Sequence, residues 1–503
     1  MNLPFKNSIL SWIIKNRIHQ INFFKKNPIT TQNRVLDYLV TKSKGTCFGI
    51  EHKFKNIKSY SDFKNVIPIR SYEELFPYID RVRFGEKNVL WPGKVKWLAK
   101  SSGTTNDSSK YIPISVDSLY DCHYKGGKDM LSLYCNNFPS SNMFNGKGLM
   151  LGGSLQNNSN NIEGDLSAII ISNFPFWVNI HRSPDLKTAL LKEWEKKLDL
   201  IVNQVLNENI TNITGVCSWV LLLLHKIIER SGANNIIEVW PNLELYMHGG
   251  VNFGPYEDQF RNLIPFEKMN YLEGYNASEG FFGIQDQKNE KDLLLMLDYG
   301  IFYEFIVLGD FNKGDKKTIS LIDVVLNETY VMIISTNAGL WRYIIGDTIR
   351  FTSLNPYRIK IVGRTKSFIN AVGEELMVEN VEEALRLTSK KHLCMISDYI
   401  VAPFFVNKGV VFHKWIIEFS KYPDSLDEFR SDLDNNLKLL NSDYSSKRSK
   451  DLILLLPEII IGQSGLFYKW LKMNNRLGGQ YKVPRLDNSS EIFNQILKLN
   501  TTY

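Results

Sequence analysis

The chain has 503 residues and a formal net charge of +7, with 44% hydrophobic and 12% aromatic residues. This length is too great for one simple core and predicts two or three domains, while the apolar share excludes an intrinsically disordered chain. The positive charges are spread along the sequence, which favours a mildly basic enzyme surface over a dedicated nucleic-acid binder.

The cysteines and the hydropathy pattern indicate the cellular compartment of the protein. The five cysteines lie far apart and form no C-x-x-C pair, so neither a disulfide framework nor a zinc site is expected. No apolar run approaches the roughly twenty residues that span a bilayer. Residues 8–24 lack a signal-type apolar block and predict an amphipathic helix on the main body. We expect a monomer in the cytoplasm, without membrane or nucleic-acid partners.

A hydroxyl-rich loop lies between two strand-like runs at residues 95–99 and 111–114. Gly103 would let the backbone approach a ligand, and the hydroxyl and N–H groups of the loop can donate to phosphoryl oxygens. The Walker spacing is absent, so a solvated turn is the alternative to a nucleotide site. The candidate phosphate-binding residues are Ser101, Ser102, Gly103, Thr104 and Thr105.

The middle of the chain alternates helical and strand-like patterns. An apolar stripe after Ser183 and Pro184 predicts one helix up to residue 205. The runs at residues 330–335, 340–345 and 359–362 are rich in β-forming residues and are separated by turns. This alternation favours an α/β architecture with a substantial sheet.

The segment YNASEG (residues 275–280) follows a Gly-Gly pair and brings an aromatic ring close to a carboxylate. The ring of Tyr275 can stack on a base, and Glu279 can hold Mg²⁺ near phosphates. A turn with an exposed Glu279 is the alternative. The other candidate nucleotide-binding residues here are Gly249, Gly250, Asn276 and Ser278.

Asp347 follows a strand and a glycine, a position suited either to ribose hydroxyls or to a simple turn. Residues 363–375 form a charged segment flanked by glycines, which is typical of a hinge. We therefore predict two domains, 1–363 and 364–503, the second a compact α+β unit. Arg364 and Lys366 in this hinge are further candidates for nucleotide binding.

A Gly-rich loop near the C-terminus, GGQYKVPR (residues 478–485), presents Lys482 and Arg485. A lysine in such a loop is usually solvated, so Lys482 is a functional candidate only in the company of the other segments.

Six segments occur in an informative order: KSSGTTND (100–107), YNASEG (275–280), YEF (303–305), GLWRYIIGD (339–347), GRTKSFINAVGEE (363–375) and GGQYKVPR (478–485). This order resembles the Gretchen Hagen (auxin-responsive promoter) family of acyl acid amido synthetases, in a bacterial-type version, within the adenylate-forming superfamily. The resemblance covers nearly the whole chain. It implies an α/β fold, with a large N-terminal adenylate-forming domain of mixed sheets and packed helices and a small α+β C-terminal domain.

Two positions depart from the family pattern. Ile344 stands where plant members carry an arginine, although Arg342 lies just before Tyr343. The hinge reads Lys366-Ser367 where many relatives in the superfamily carry an aspartate. Neither change removes a group essential to adenylation, but plant-like substrate recognition does not follow from the resemblance.

The resemblance implies that ATP activates a carboxylic acid to an acyl-AMP, and that an amine, expected to be an amino acid, then forms an amide. It implies Mg²⁺ on Glu279, adenine against Tyr275 and ribose on Asp347. Lys482 would be the catalytic counter-charge of the first step, carried by a mobile C-terminal domain. The alternatives are an acyl-CoA ligase and a non-catalytic nucleotide-binding protein. The acid and the amine cannot be read from the sequence, because specificity depends on pocket shape.

Overall fold

The computed structural model of the chain describes residues 17–101, 110–250, 253–288, 290–365, 368–369, 371–372, 374, 376–407, 410–448, 453–474, 476–477 and 482–500. The chain divides into two units. The larger comprises residues 1–251, 263–345 and 349–360, and the smaller comprises residues 252–262, 346–348 and 361–503. The domain boundary between residues 363 and 364 remains a prediction.

The strands are, in chain order, β1 (Trp97–Ser101), β2 (Lys110–Ile114), β3 (Lys147–Met150), β4 (Leu155–Asn157), β5 (Ile162–Gly164), β6 (Arg182–Ser183), β7 (Ile210–Thr214), β8 (Leu245–Gly249), β9 (Asn270–Ala277), β10 (Gly280–Ile284), β11 (Leu293–Leu295), β12 (Ile301–Val307), β13 (Thr329–Thr336), β14 (Tyr343–Leu354), β15 (Tyr357–Arg364), β16 (Phe368–Ile369), β17 (Leu376–Met377), β18 (Met395–Asn407), β19 (Val410–Lys421) and β20 (Glu458–Gly462).

Eleven strands form one mixed sheet in the order β12-β13-β14-β15-β11-β10-β9-β8-β7-β3-β6. The strands from β9 to β6 are parallel to their neighbours, whereas β9 and β10 form an antiparallel hairpin. β7 and β8 are buried at four consecutive positions, as expected for parallel strands covered on both faces. A second sheet has the order β2-β1-β5-β4. The strands β1 and β2 confirm the two runs predicted around the hydroxyl-rich loop.

The α-helices are Ile18–Lys26, Pro28–Ser43, Cys47–Glu51, Tyr60–Val66, Tyr72–Arg83, Val116–Ser118, Lys125–Asn137, Leu166–Ser172, Phe176–Ile180, Leu186–Ala189, Trp194–Val205, Cys217–Ser231, Ile236–Val239, Glu257–Leu263, Leu308–Asn312, Val378–Lys391, Leu426–Leu440, Ser442–Arg448, Leu466–Met473 and Glu491–Asn500. Short 3₁₀ turns lie at Phe54–Asn56, Met143–Asn145, Gly254–Tyr256 and Leu321–Asp323, and a π-helix lies at Leu119–Tyr124. Local signals explain several of these helix starts. Ser71 and Glu74, for example, form a reciprocal capping box before Tyr72–Arg83.

The single helix predicted after Ser183 is divided into two. Ser183 belongs to β6, and Asp185 caps the first helix by accepting a backbone N–H. The second helix begins at Trp194, whose ring packs against Trp219 with centroids 4.6 Å apart. The prediction of one continuous helix is wrong, because strand pairing and the packing of Trp194 override the shared apolar period.

The smaller unit contains a sheet of order β18-β19-β20 and the helices Val378–Lys391 and Leu426–Leu440. These elements confirm the α+β character predicted for the C-terminal part of the chain. All five cysteines are free thiols. Within the described ranges, no helix is both long and apolar enough to cross a bilayer.

Candidate active site

Several predicted site residues lie where parallel strands of the large sheet end. β8 ends at Gly249, which pairs with Gly274 of β9, and Gly250 follows with a positive φ of 79°. A Cβ at position 249 would collide with the carbonyl oxygen of Gly274, so glycine allows this close approach of two backbones. In open α/β sheets, ligands bind in the crevice outside the carboxyl ends of the strands. Gly249, Gly250 and Asn276 therefore occupy a suitable edge.

Ser278 and Glu279 form the two-residue turn of the β9–β10 hairpin, because Ala277 pairs directly with Gly280. Ser278 is 2% exposed, whereas Glu279 is half-buried. Among the described residues, no group of three or more His, Cys, Asp or Glu side chains could hold a metal. Mg²⁺ commonly takes one or two protein carboxylates together with waters and phosphate oxygens, so Glu279 alone suits a metal shared with a nucleotide.

Tyr275 lies in the core beneath this turn. It is 6% exposed, and its ring lies 4.8 Å from that of Phe282, centroid to centroid. The ring therefore helps to fix the hairpin. Its stacking against adenine remains a prediction.

A π-helix of six residues, Leu119–Tyr124, supports the hairpin from one side. The backbone N–H of Phe281 donates to the Sγ atom of Cys122 at 3.2 Å. The Nδ1 atom of His123 lies 3.3 Å from the Oδ1 atom of Asn276. Burial lowers the pKa of His123 to about 4 and raises the pKa of Cys122 to about 12, so both side chains are neutral near pH 7. Sequence reasoning missed both residues, because a histidine in an amphipathic helix has the pattern of an ordinary core residue.

The hydroxyl-rich loop begins and ends on paired residues. Ser101, the last residue of β1, pairs with Lys110, the first residue of β2. Ser102, Gly103, Thr104 and Thr105 lie outside the described residues. At the base of the loop, Lys100 lies 3.3 Å from the carboxylate of Glu163, and Arg83 lies 3.7 Å from the ring centroid of Tyr111. Arg83 and Lys100 thus share the carboxylate of Glu163 where the loop joins the sheet.

Arg342 and Glu304, from two of the six segments, form a buried ion pair. The Nε and Nη2 atoms of Arg342 donate to the two carboxylate oxygens of Glu304, each at 2.8 Å. The Nη1 atom donates to the carbonyl oxygens of Lys64 and Ile67. Arg342 also has a left-handed φ of 45°. It is therefore a structural residue. The sequence does contain a signal for this pair. Glu304 is a charged residue inside the otherwise apolar strand β12, and a buried charge requires a partner.

Arg342→Met is expected to lower the free energy of unfolding by about 3–5 kcal/mol, because it leaves a buried carboxylate without its cation. Urea denaturation measures this change. Arg350→Met is the matched control, since Arg350 is half-buried on β14 and donates to the hydroxyl of Thr329 at 3.3 Å. Removing the carboxylate as well, in Arg342→Met/Glu304→Met, should recover part of the loss. Equal losses for the two single variants would contradict a structural ion pair.

In the smaller unit, the structure brings together Asp347 and Arg364. The Nε atom of Arg364 donates to the Oδ1 atom of Asp347 at 2.8 Å. The side chain of Asp347 is 14% exposed and that of Arg364 is 43% exposed. The two predicted residues thus form one charged pair, while Lys366 lies outside the described residues.

Lys482 is exposed and belongs to a segment without helix or strand. Arg485, three positions later, fixes this segment. It forms a close ion pair with Asp398, and its Nη2 atom donates to the hydroxyl of Tyr256 at 2.7 Å. Its guanidinium also lies 4.6 Å from the ring centroid of Tyr399. These contacts of Arg485 therefore fix the segment that carries the exposed Lys482.

Proteins of similar sequence align with most of the chain. It is 24% identical over 498 residues to jasmonoyl–L-amino acid synthetase JAR6 of Nicotiana attenuata, covering 84% of this chain and 85% of that protein. It is 22% identical over 540 residues to the putative indole-3-acetic acid-amido synthetase GH3.9 of Arabidopsis thaliana, covering 90% and 91% respectively.

Solved structures share the fold. The chain superposes on the GH3.15 acyl acid amido synthetase with a TM-score of 0.78 and 17% identity, covering 97% of this chain and 96% of that one. It superposes on a 2-hydroxyisobutyryl-CoA ligase in the postadenylation state with a TM-score of 0.55 and 10% identity, covering 97% and 92%. These likenesses confirm the predicted α/β fold.

Family models match three consecutive parts of the chain. The GH3 family N-terminal domain matches residues 17–269, the central domain residues 294–364 and the C-terminal domain residues 379–491. The resemblance carried by the six segments is thereby confirmed, and the chain belongs to the GH3 family.

Proposed function

We propose that this protein uses ATP to adenylate a carboxylic acid and then transfers the acyl group to the amine of an amino acid. The β9–β10 hairpin carries this proposal, because it holds Glu279 in a two-residue turn just beyond the residues that pair β9 with β8. The same hairpin contains YNASEG, one of the six segments on which the family resemblance rests.

The reaction has two half-reactions. In the first, a carboxylate oxygen of the acid attacks the α-phosphorus of ATP, a P–O bond forms, and the bond to pyrophosphate breaks. In the second, the amine nitrogen attacks the acyl carbon, AMP leaves with the bridging oxygen, and the amine loses a proton. The amine attacks in its neutral form, and we assign no protein base to the second step.

The residues of the larger unit suit the phosphates of ATP. The hydroxyl and N–H groups of Ser101, Ser102, Gly103, Thr104 and Thr105 would donate to phosphoryl oxygens. Glu279 would hold Mg²⁺, which would offset the repulsion between the polyanion and the attacking carboxylate. Gly249, Gly250 and Ser278 would border the nucleotide at the carboxyl edge of the sheet.

We assign the remaining roles to the smaller unit. Asp347 would accept hydrogen bonds from the ribose hydroxyls, and Arg364 would orient its carboxylate through the 2.8 Å contact. Lys482 would supply positive charge to the α-phosphate and the carboxylate during the first half-reaction. Residues 363–366 would act as the hinge of a mobile domain that starts at residue 364.

The names of the relatives support the choice of substrate classes. Their names describe jasmonoyl–amino acid synthesis, indole-3-acetic acid amidation and ligation of 4-substituted benzoates to glutamate. We propose a small organic acid and an amino acid for this protein.

A panel of amino acids, each assayed with a mixture of small organic acids, tests the proposal through the formation of AMP and pyrophosphate. Amino-acid-dependent AMP formation with an amide product supports it. CoA in place of the amino acid tests the alternative suggested by the likeness to a CoA ligase, and a thioester product would establish that activity instead. ATP binding without pyrophosphate release for any acid would contradict both enzymes.

A further inference from the structure

The polar side chain of Asn276 is in contact with a residue of the π-helix. Asn276 lies on β9 directly opposite Phe281, near the end of the hairpin that presents Glu279. The half-buried side chain approaches His123 of the π-helix, with Oδ1 and Nδ1 3.3 Å apart. Resting on the proposed function, we infer that His123 is a positioning residue that orients the Asn276 amide, so that Asn276 donates to a hydrogen-bond acceptor of the bound nucleotide.

The protonation state of His123 fixes the direction of this hydrogen bond. The ring is 3% exposed, and burial lowers its pKa to about 4, so the imidazole is neutral near pH 7 and carries a single N–H. The Oδ1 atom of an asparagine can only accept, which places that hydrogen on Nδ1. The bond occupies Oδ1, and the two N–H groups of Nδ2 are left for a ligand. A nucleotide group facing Asn276 must therefore be an acceptor.

Packing holds His123 at this distance. The adjacent Cys122 accepts the backbone N–H of Phe281 at 3.2 Å, which fixes the π-helix to β10. Gly126 lies against the ring of Phe281 so closely that a Cβ there would collide with it. Because Phe281 is also the strand partner of Asn276, the helix and the hairpin cannot separate locally without breaking these contacts. Such π-helical insertions are frequent at functional sites.

A double-mutant cycle tests whether His123 acts through Asn276. The dissociation constant of MgATP, measured by calorimetry, and the KM for ATP in pyrophosphate exchange are compared for His123→Leu, Asn276→Ala and the double variant. His123→Leu is expected to weaken MgATP binding roughly tenfold, as for one lost hydrogen bond, with kcat nearly unchanged. In the Asn276→Ala background, His123→Leu should have no further effect on binding. Additive losses would overturn the inference, since they would show a general structural role.

Two conservative variants complete the test. His123→Asn places an amide N–H near the position of Nδ1 and should restore MgATP binding to within about threefold of wild type. Asn276→Asp replaces the donor by an acceptor and should weaken MgATP binding more than Asn276→Ala does. This comparison still tests the inference if His123→Leu does not fold. Wild-type affinity in Asn276→Asp would overturn the inference. Failure of the proposed function is distinguishable, because wild type would then bind MgATP without any acid-dependent pyrophosphate release.

Discussion

Lys482→Ala is expected to slow acid-dependent pyrophosphate release by roughly 10²-fold to 10³-fold, as for the loss of one transition-state charge contact. It should convert synthetic acyl-AMP and amine to amide at nearly the wild-type rate. The two half-reactions respond unequally because Lys482 is proposed to act only while the carboxylate attacks the α-phosphate. Single-turnover kinetics of each half-reaction measure the difference.

The structure provides controls for this experiment. Lys482 is exposed, and Arg485 anchors the segment, so the substitution should not disturb the fold. Lys482→Arg keeps the charge and should retain more of the first half-reaction than alanine does. Lys421→Ala removes an exposed lysine at the end of β19, outside the six segments, and should leave both rates unchanged. Equal losses in both half-reactions of Lys482→Ala would show that this lysine is structural.

Glu279→Gln is expected to reduce acid-dependent pyrophosphate release by roughly 10²-fold and to raise the Mg²⁺ concentration needed for half-maximal rate. The substitution keeps the shape of the side chain in the two-residue turn and removes its charge. Pyrophosphate release measured against Mg²⁺ concentration tests the effect.

Glu267→Gln is the matched control, because Glu267 is an exposed carboxylate just before β9 and outside the hairpin. Its Mg²⁺ dependence should be that of wild type. Wild-type turnover of Glu279→Gln at every Mg²⁺ concentration would remove Glu279 from the metal site.

Local patterns in the sequence predicted the features that depend on neighbouring residues. The strands β1 and β2 around the loop, the pair β18 and β19, and the helix Leu426–Leu440 follow from periodicity and turn residues. One interpretation of the YNASEG segment is a turn with an exposed Glu279. The turn is confirmed, since residues 278 and 279 connect β9 to β10, and Glu279 is half-buried. Each of these features is encoded within a short stretch of chain.

Contacts between residues that are far apart in the sequence could not be predicted. The pair Arg342 and Glu304 spans 38 positions, and the pair His123 and Asn276 spans 153. A single sequence does not give the strand register or the helix docking that bring such residues together. The burial of Tyr275 was also unpredictable, because the sequence does not show which face of β9 meets the core.

Oxygen-18 transfer from the acid shows whether the acid is activated as an acyl-AMP. The acid identified in the panel is labelled in both carboxylate oxygens and incubated with MgATP and the amino acid, and the products are analysed by mass spectrometry. If acyl-AMP is formed, we expect AMP that carries one labelled oxygen, together with unlabelled pyrophosphate and an amide that keeps the other label. Label in inorganic phosphate with ADP as the nucleotide product, or AMP without label, would contradict it.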